Sequence, residues 1–346
     1  MRRENAILLA ALRDPASMTR LDAAGWNLLI PSARMHGLLA RLATYVSDAD
    51  ALPDAARRQF DNATIAAAAN QTGLRFEIDR VARALAPTGT RIVLLKGGAF
   101  LQAGLPPSRG RSSTDLDILV PRADLPRVEA ALVAHGWALH AETEYDEHYY
   151  RDWMHEIPPM VHTEREAALD VHHTIFPPVA GIRIDSAALL ADAVQLDGGV
   201  WALCPTDMVL HSAVHLFGED ITGRLRDLLD LHDLLTHFGA QPGFWDALQA
   251  RARLHGLARP LAYAVRYSRR FMGTAVPAGV GDDAGPAMDW LVGQALLHAA
   301  SDTPGLGARI AQRVLYVRGH WLKMPTGMLV RHLWTKWRRR EEDVPV

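Results

Sequence analysis

Two aspartates, Asp115 and Asp117, stand two residues apart in the run DLDILV at 115–120. Its apolar and β-branched residues predict a strand ending at Pro121. Strand side chains alternate faces, so both carboxylates point one way while Leu116 and Ile118 turn to the core. Like charges so placed repel, and they persist most easily where a cation neutralises them. Hard divalent cations such as magnesium prefer such oxygen ligands, completed by water and phosphates. A third carboxylate, Asp170, lies in AALDVHHTI between Leu169 and Val171. If the two strands are neighbours, three carboxylates converge, a set able to hold two metal ions ~3.5–4 Å apart. His172 then shares the face of Asp170, and His173 points away. The same repulsion predicts that removing Asp115 or Asp117 leaves the metal-free fold intact or more stable.

Upstream, RIVLLK at 91–96 reads as a strand that delivers Gly97 and Gly98 into a short helix, Ala99 to Gly104. Backbone amides there can face an anion with no side chain in the way. Lys96, Arg109, Arg111, Ser112 and Ser113 add donors suited to phosphate oxygens. The chain has only three lysines, Lys96, Lys323 and Lys336. That scarcity fits genome composition, and the placing of one lysine inside this segment makes Lys96 a candidate for a specific ammonium contact. His211 and His215, spaced i, i+4, form either a metal pair or a helix-packing pair without the glutamate of a zinc protease motif. His148 and His155, among Tyr149, Tyr150 and Trp153, read as an acceptor-side wall or as aromatic core.

These groups need a scaffold. The 346 residues suffice for two or three domains, with 49% hydrophobic and 22% charged residues, which excludes a disordered, collagen-like or coiled-coil chain. A formal charge of −2 gives no global case for nucleic-acid coating or membrane adsorption. One cysteine, Cys204, makes no internal disulfide and suits a reducing, cytoplasmic setting. No stretch reaches the ~18–20 apolar residues of a membrane span, and the first residues do not read as a signal peptide.

Helical spacing dominates to about Leu85, with one longer helix from Thr64 to Leu85. Strands are expected at 91–96, 115–120, 137–141, 160–162 and 167–175, with a helix from Leu125 to His135. Beyond Pro178 the pattern is helical again, most clearly over Thr206–Phe217, where Thr206 can cap, Thr222–Phe238 and Pro260–Met272. The loop from Gly273 to Gly285 is the best linker. The expectation is an α+β chain: an N-terminal helical region (1–85), a small mixed sheet (86–180) and a C-terminal helical region (181–346). The last stretch, LVRHLWTKWRRR, reads as an amphipathic helix or a basic surface for RNA phosphates.

The order of these motifs resembles the DNA polymerase beta-like nucleotidyltransferase superfamily, and more closely the bacterial uncharacterised nucleotidyltransferase family. The resemblance rests on LLKG at 94–97, R-x-x-x-D-x-D-I-L-V from Arg111 to Val120, LDVHH at 169–173 and RLRDLLDLHDLL at 224–235. It implies transfer of a nucleoside monophosphate from a nucleoside triphosphate such as ATP to an acceptor, with Mg2+ or Mn2+ as cofactor. By that resemblance Asp115, Asp117 and Asp170 are catalytic and metal-binding, and Lys96, Gly97, Gly98, Arg111, Ser113 and His172 hold the nucleotide. Many superfamily members have Gly-Ser at the turn; here it is Gly97-Gly98, so that serine contact is missing. The acceptor (RNA, protein, peptide or small molecule) and the oligomeric state stay open. The alternatives are a nucleotide-binding or protein-interaction module with little turnover, and a metal hydrolase using His211 and His215.

Overall fold

The computed structural model describes residues 2–46, 51–140, 149–281, 285–298, 303–323 and 327. His148 and the basic stretch from Leu329 lie outside them. The architecture is α+β, as expected. Four helices come first: α1 (Arg3–Arg13), α2 (Ala23–Met35), α3 (Leu39–Ala43) and the 32-residue α4 (Asp54–Leu85). The helix expected from Thr64 therefore starts ten residues earlier by these bounds. Its first turns, DAARRQFDNA, are too polar to show the apolar period, although Ala56 and Phe60 are buried.

The central segment holds β1 (Val93–Leu94), α5 (Lys96–Gln102), β2 (Asp115–Leu119), α6 (Leu125–Ala134), β3 (Trp137–Leu139), β4 (Met160–His162) and β5 (Ala168–His172). β1 is shorter than the expected 91–96 because the chain turns at once into α5, with Lys96 in the left-handed region at φ 43°. After α7 (Ser186–Ala191), a hairpin of β6 (Val194–Gln195) and β7 (Trp201–Ala202) joins the sheet. The sequence pattern there predicts helix; two-residue strands are too short to carry a period. The sheet thus draws residues from 93 to 202, past residue 180.

The strand order is β3-β4-β5-β2-β1-β7-β6. β2 runs parallel to β5 and antiparallel to β1, so the two aspartate-bearing strands lie side by side. Leu116, Ile118, Leu169 and Val171 are all fully or almost fully buried, and burying each such side chain is worth about 1.5–3 kcal/mol.

Six helices follow among the described residues: α8 (Pro205–Phe217), α9 (Leu225–Gly239), α10 (Phe244–Leu254), α11 (Ala258–Met272), α12 (Pro286–His298) and α13 (Leu306–Lys323). Cys204, not Thr206, stands at the N-cap of α8, and no side chain caps it. One hydrophobic cluster runs from Leu8 to Leu315. The first helix is tied to the C-terminal helices: Arg13 Nε at the end of α1 donates to the Phe271 carbonyl of α11 at 2.6 Å.

Candidate active site

The loop between α5 and β2 is held from three sides. Asn70 on α4 accepts from the Ser113 amide at 2.8 Å and donates to its carbonyl at 2.9 Å. Gln71, next on α4, donates to the carbonyls of Ser108 and Arg111 at 2.7 and 3.0 Å. Arg41 on α3, buried and ion-paired with Asp233 of α9, donates to the carbonyls of Pro106 and Arg109 at 2.5 and 3.2 Å. Irregular backbone must find such partners to be buried at all.

The loop borders a cleft of about 490 Å³, lined among others by Lys96, Gly97, Arg111, Ser113, Asp115 and Asp117, with Arg34 and His36 from the α2 end and Arg224, Arg226 and Asp227 from the start of α9. Gly97 leaves room for Ser113: a Cβ there would fall 2.1 Å from Ser113 Oγ and force that hydroxyl to turn away. The hydroxyl nearest the glycine turn is therefore that of Ser113, although the turn itself has no serine. Gly98 is not a lining residue; a Cβ on it would meet Leu116 at 3.0 Å, so it allows α5 to approach β2. Arg109 contributes its carbonyl to Arg41 and does not line the cleft.

Parallel pairing sets Asp117 directly beside Asp170, with Asp115 opposite Ala168 on the same face. Asp117 is buried. Its Oδ1 accepts from Lys96 Nζ at 2.6 Å and lies 3.1 Å from His172 Nε2. Burial works to raise the Asp117 pKa, but Lys96 and then His172 outweigh it and hold the carboxylate well below its usual range. Lys96 is raised in turn: the attraction of Asp117 exceeds the cost of burial. His172 is almost inaccessible and packed between carboxylates, with Nδ1 3.2 Å from Glu156 Oε2. Burial lowers its pKa, yet Glu156 and Asp117 together raise it. It does not line the cleft.

Asp170 behaves in the opposite way to Asp117. Burial, followed by the charges of Asp117 and Glu156, pushes its pKa up to about 7. A carboxyl that binds its proton more tightly folded than unfolded stabilises the fold below its ordinary value of 3.8 and loses that contribution as pH rises through about 7. Metal-free protein is expected to lose at most about 4 kcal/mol across this window through Asp170. Melting curves against pH should show the slope in wild type, and Asp170→Asn should flatten it. Parallel profiles in the two proteins would remove Asp170 from this crowded set.

Several contributors have no role assigned from sequence, although Arg224, Arg226, Asp227 and Asp230 lie in the RLRDLLDLHDLL motif; they meet Arg111 and the loop around it. Arg111 Nε lies 3.3 Å from Asp230 Oδ2 without hydrogen-bond geometry, and its guanidinium sits 5.8 Å from the Phe100 ring centre. Burial pushes Asp230 up to about 6 against the pull of Arg111. Arg224 binds Asp227 and Glu219, and Arg226 donates to the Ser112 carbonyl at 3.2 Å. The i, i+3 recurrence of Arg224, Asp227 and Asp230 in RLRDLLDLHDLL was the available signal, since a buried helix start needs its charges paired. Glu156 had no signal beyond lying beside His155.

His215 lines the cleft and His211 does not, and the two form no metal group with each other among the described residues. Burial lowers both, His211 to about 3, and His215 contacts Arg224. Among the described residues, ligand atoms converge instead in Asp117–Asp170–His172 and in His155–Glu156–His172.

The fold and this cleft define an α+β protein that sets acidic strands against a basic, glycine-opened loop. The chain belongs to the uncharacterised nucleotidyltransferase family, whose model matches residues 22–273. No curated protein matches the sequence. Among solved structures it is similar to the solution structure of the antibiotic-resistance factor ANT(2'')-Ia, at 12% identity and a TM-score of 0.36, over 58% of this chain and 98% of that one. No helix among the described residues is long and apolar enough to cross a membrane.

Proposed function

We propose that the protein transfers a nucleoside monophosphate from a nucleoside triphosphate to an acceptor nucleophile in this cleft. The observation that carries the reading is the Asp117–Asp170 pairing, with Asp115 on the same face, beside a cleft lined by Lys96, Arg111 and Ser113. An acceptor hydroxyl attacks the α-phosphorus, the bond to the bridging oxygen breaks, pyrophosphate leaves, and the hydroxyl proton passes to a base. Asp170, paired with Asp117 across β2 and β5, is the carboxylate we assign as that base, in its ionised form.

Asp115, Asp117 and Asp170 would hold Mg2+ or Mn2+, an all-oxygen donor set whose crowding shows in the raised Asp170. Such an ion, when bound, neutralises phosphate charge and lowers the pKa of an attacking oxygen. Gly97, Arg111 and Ser113 bind the phosphates, and Gly98 lets α5 pack closely enough to present them. His172 acts through Asp117, orienting its carboxylate.

The alternative, a nucleotide-binding module with little turnover, is favoured by one observation: the Lys96 ammonium already neutralises Asp117 at 2.6 Å. Incubation with α-labelled nucleoside triphosphates, Mg2+ or Mn2+ and cell extract distinguishes them. Transfer predicts a labelled acceptor, RNA included, with release of pyrophosphate. Triphosphate binding without pyrophosphate release from any of the four nucleotides would establish the module instead. Calorimetry should show triphosphate affinity falling at least about 10-fold in chelator, since Asp115 and the triphosphate then repel each other unscreened. Equal affinity with and without chelator would remove the metal from the site.

A further inference from the structure

We propose that His155, Glu156 and His172 form a second metal site, for a borderline dication of the zinc class, distinct from the oxygen set on β2 and β5. It does not depend on the nucleotidyl-transfer reading.

The geometry comes from the sheet. Glu156 pairs with His172 through an isolated antiparallel bridge, the Ile157 amide donates to Val171 at 3.0 Å, and the His173 amide donates to the His155 carbonyl at 2.9 Å. Segment 155–157 is thus laid along β5 and its side chains are placed before any ligand arrives. Glu156 Oε2 lies 3.2 Å from His172 Nδ1 and 3.8 Å from His155 Nε2, and one ligand atom from each of the three residues lies within 4.8 Å of the others. A tetrahedral ion with ligands at about 2.0–2.1 Å holds them about 3.3 Å apart. The carboxylate-to-imidazole separations already approach that edge.

An independent observation points to a ligand. The His172 side chain is 2% exposed, and its Nδ1 faces Glu156 Oε2 at 3.2 Å without forming a hydrogen bond. Unmade bonds on buried nitrogens are costly, and a metal uses the lone pair of His172 that a proton would otherwise take. His172 Nε2 is meanwhile fixed by Asp117 at 3.1 Å. A carboxylate on the far nitrogen of a ligating imidazole is the usual outer-shell support of a zinc site.

Two imidazoles and one carboxylate suit zinc-class ions, whereas Asp115, Asp117 and Asp170 offer only hard oxygen. Glu156 also borders a cavity of about 510 Å³, with Arg122, Leu125, Glu129 and His173, that is separate from the nucleotide cleft; His155 and His172 do not line it. Bound there, the ion would tie segment 155–157 to β5 and hold His172 against Asp117.

The test is titration of the full-length, metal-stripped protein with Co2+, read by the intense visible bands of a tetrahedral complex. One equivalent is expected to bind, to be displaced by Zn2+ and to resist excess Mg2+. His155→Ala and Glu156→Gln should weaken binding by more than the roughly 10–100-fold that an outer-shell loss costs. Asp115→Ala and Asp170→Asn should retain the tetrahedral spectrum. Should His155→Ala fail to fold, the near-isosteric Glu156→Gln carries the same comparison. Absence of tetrahedral bands in wild type overturns the proposal, as does a spectrum lost in Asp170→Asn but kept in Glu156→Gln.

Discussion

Asp117→Asn is expected to cut nucleotidyl transfer by more than about 1000-fold, equivalent to about 4 kcal/mol of transition-state stabilisation, and to lower the melting temperature as well. The substitution keeps the shape of the side chain but removes the charge shared by Lys96 at 2.6 Å and His172 at 3.1 Å. Removing one partner of a buried pair leaves the other uncompensated, at a cost of about 3–5 kcal/mol; Lys96, with 18% of its side chain exposed, recovers part of that through water. The D-x-D spacing predicts mutual repulsion of Asp115 and Asp117, and the contacts with Lys96 and His172 remove that effect at Asp117. Asp117 is not strained by its neighbours, because two cationic partners surround it. Asp115 has no such pair among the described residues; its Oδ1 accepts from the Thr114 hydroxyl at 3.3 Å. Asp115→Asn is therefore expected to lose activity with stability within about 0.5 kcal/mol of wild type. Melting curves and single-turnover assays on both variants check this. Undiminished transfer by Asp117→Asn would sink the catalytic assignment.

Gly110→Ala is expected to destabilise the protein by about 3 kcal/mol or more and to raise KM for the triphosphate. Gly110 has φ +63°, and a Cβ there would lie 2.6 Å from the backbone of Ala40 and Arg41. The left-handed conformation costs a residue with a side chain about 1–2 kcal/mol, and overpacking adds about 1–3 kcal/mol. Helix backbone cannot rotate aside as a side chain can. Relief comes only by lifting the loop off α3, which breaks the Arg41 bonds to Pro106 and Arg109 and displaces Arg111 and Ser113. Gly104→Ala is the control, since Gly104 has φ +64° and nothing within 4 Å of the added carbon. It should show the conformational cost alone, with KM unchanged. Equal effects of the two substitutions would mean that the loop does not depend on its seat against α3.

Much of this protein was legible from local pattern. The period of two in DLDILV and ALDVH determines that Asp115 and Asp117 share a face, that Asp170 and His172 share another, and that Leu116, Ile118, Leu169 and Val171 go inside. The glycine pair after RIVLL announces a turn into a helix, and the apolar periods of α8, α9 and α11 place those helices closely. Such features depend on residues a few positions apart, where backbone geometry leaves few options. The order of the motifs was enough to indicate the family.

Tertiary structure alone decided what the carboxylates do. That β2 and β5 are parallel neighbours in register Asp117 to Asp170 depends on how distant strands assemble, and no local period encodes that choice. The opposed ionisation of two adjacent aspartates follows from it: Lys96 and His172 reach Asp117, while Asp170 is left with burial and like charge. Glu156 enters through a single β-bridge, Asp230 through a helix docked from far along the chain, and Arg41 through a helix that the sequence showed only as one of several short ones. Charges act through space over a few ångströms. A sequence lists which charges exist, and only the packing of distant segments determines which of them meet and how much water remains between them.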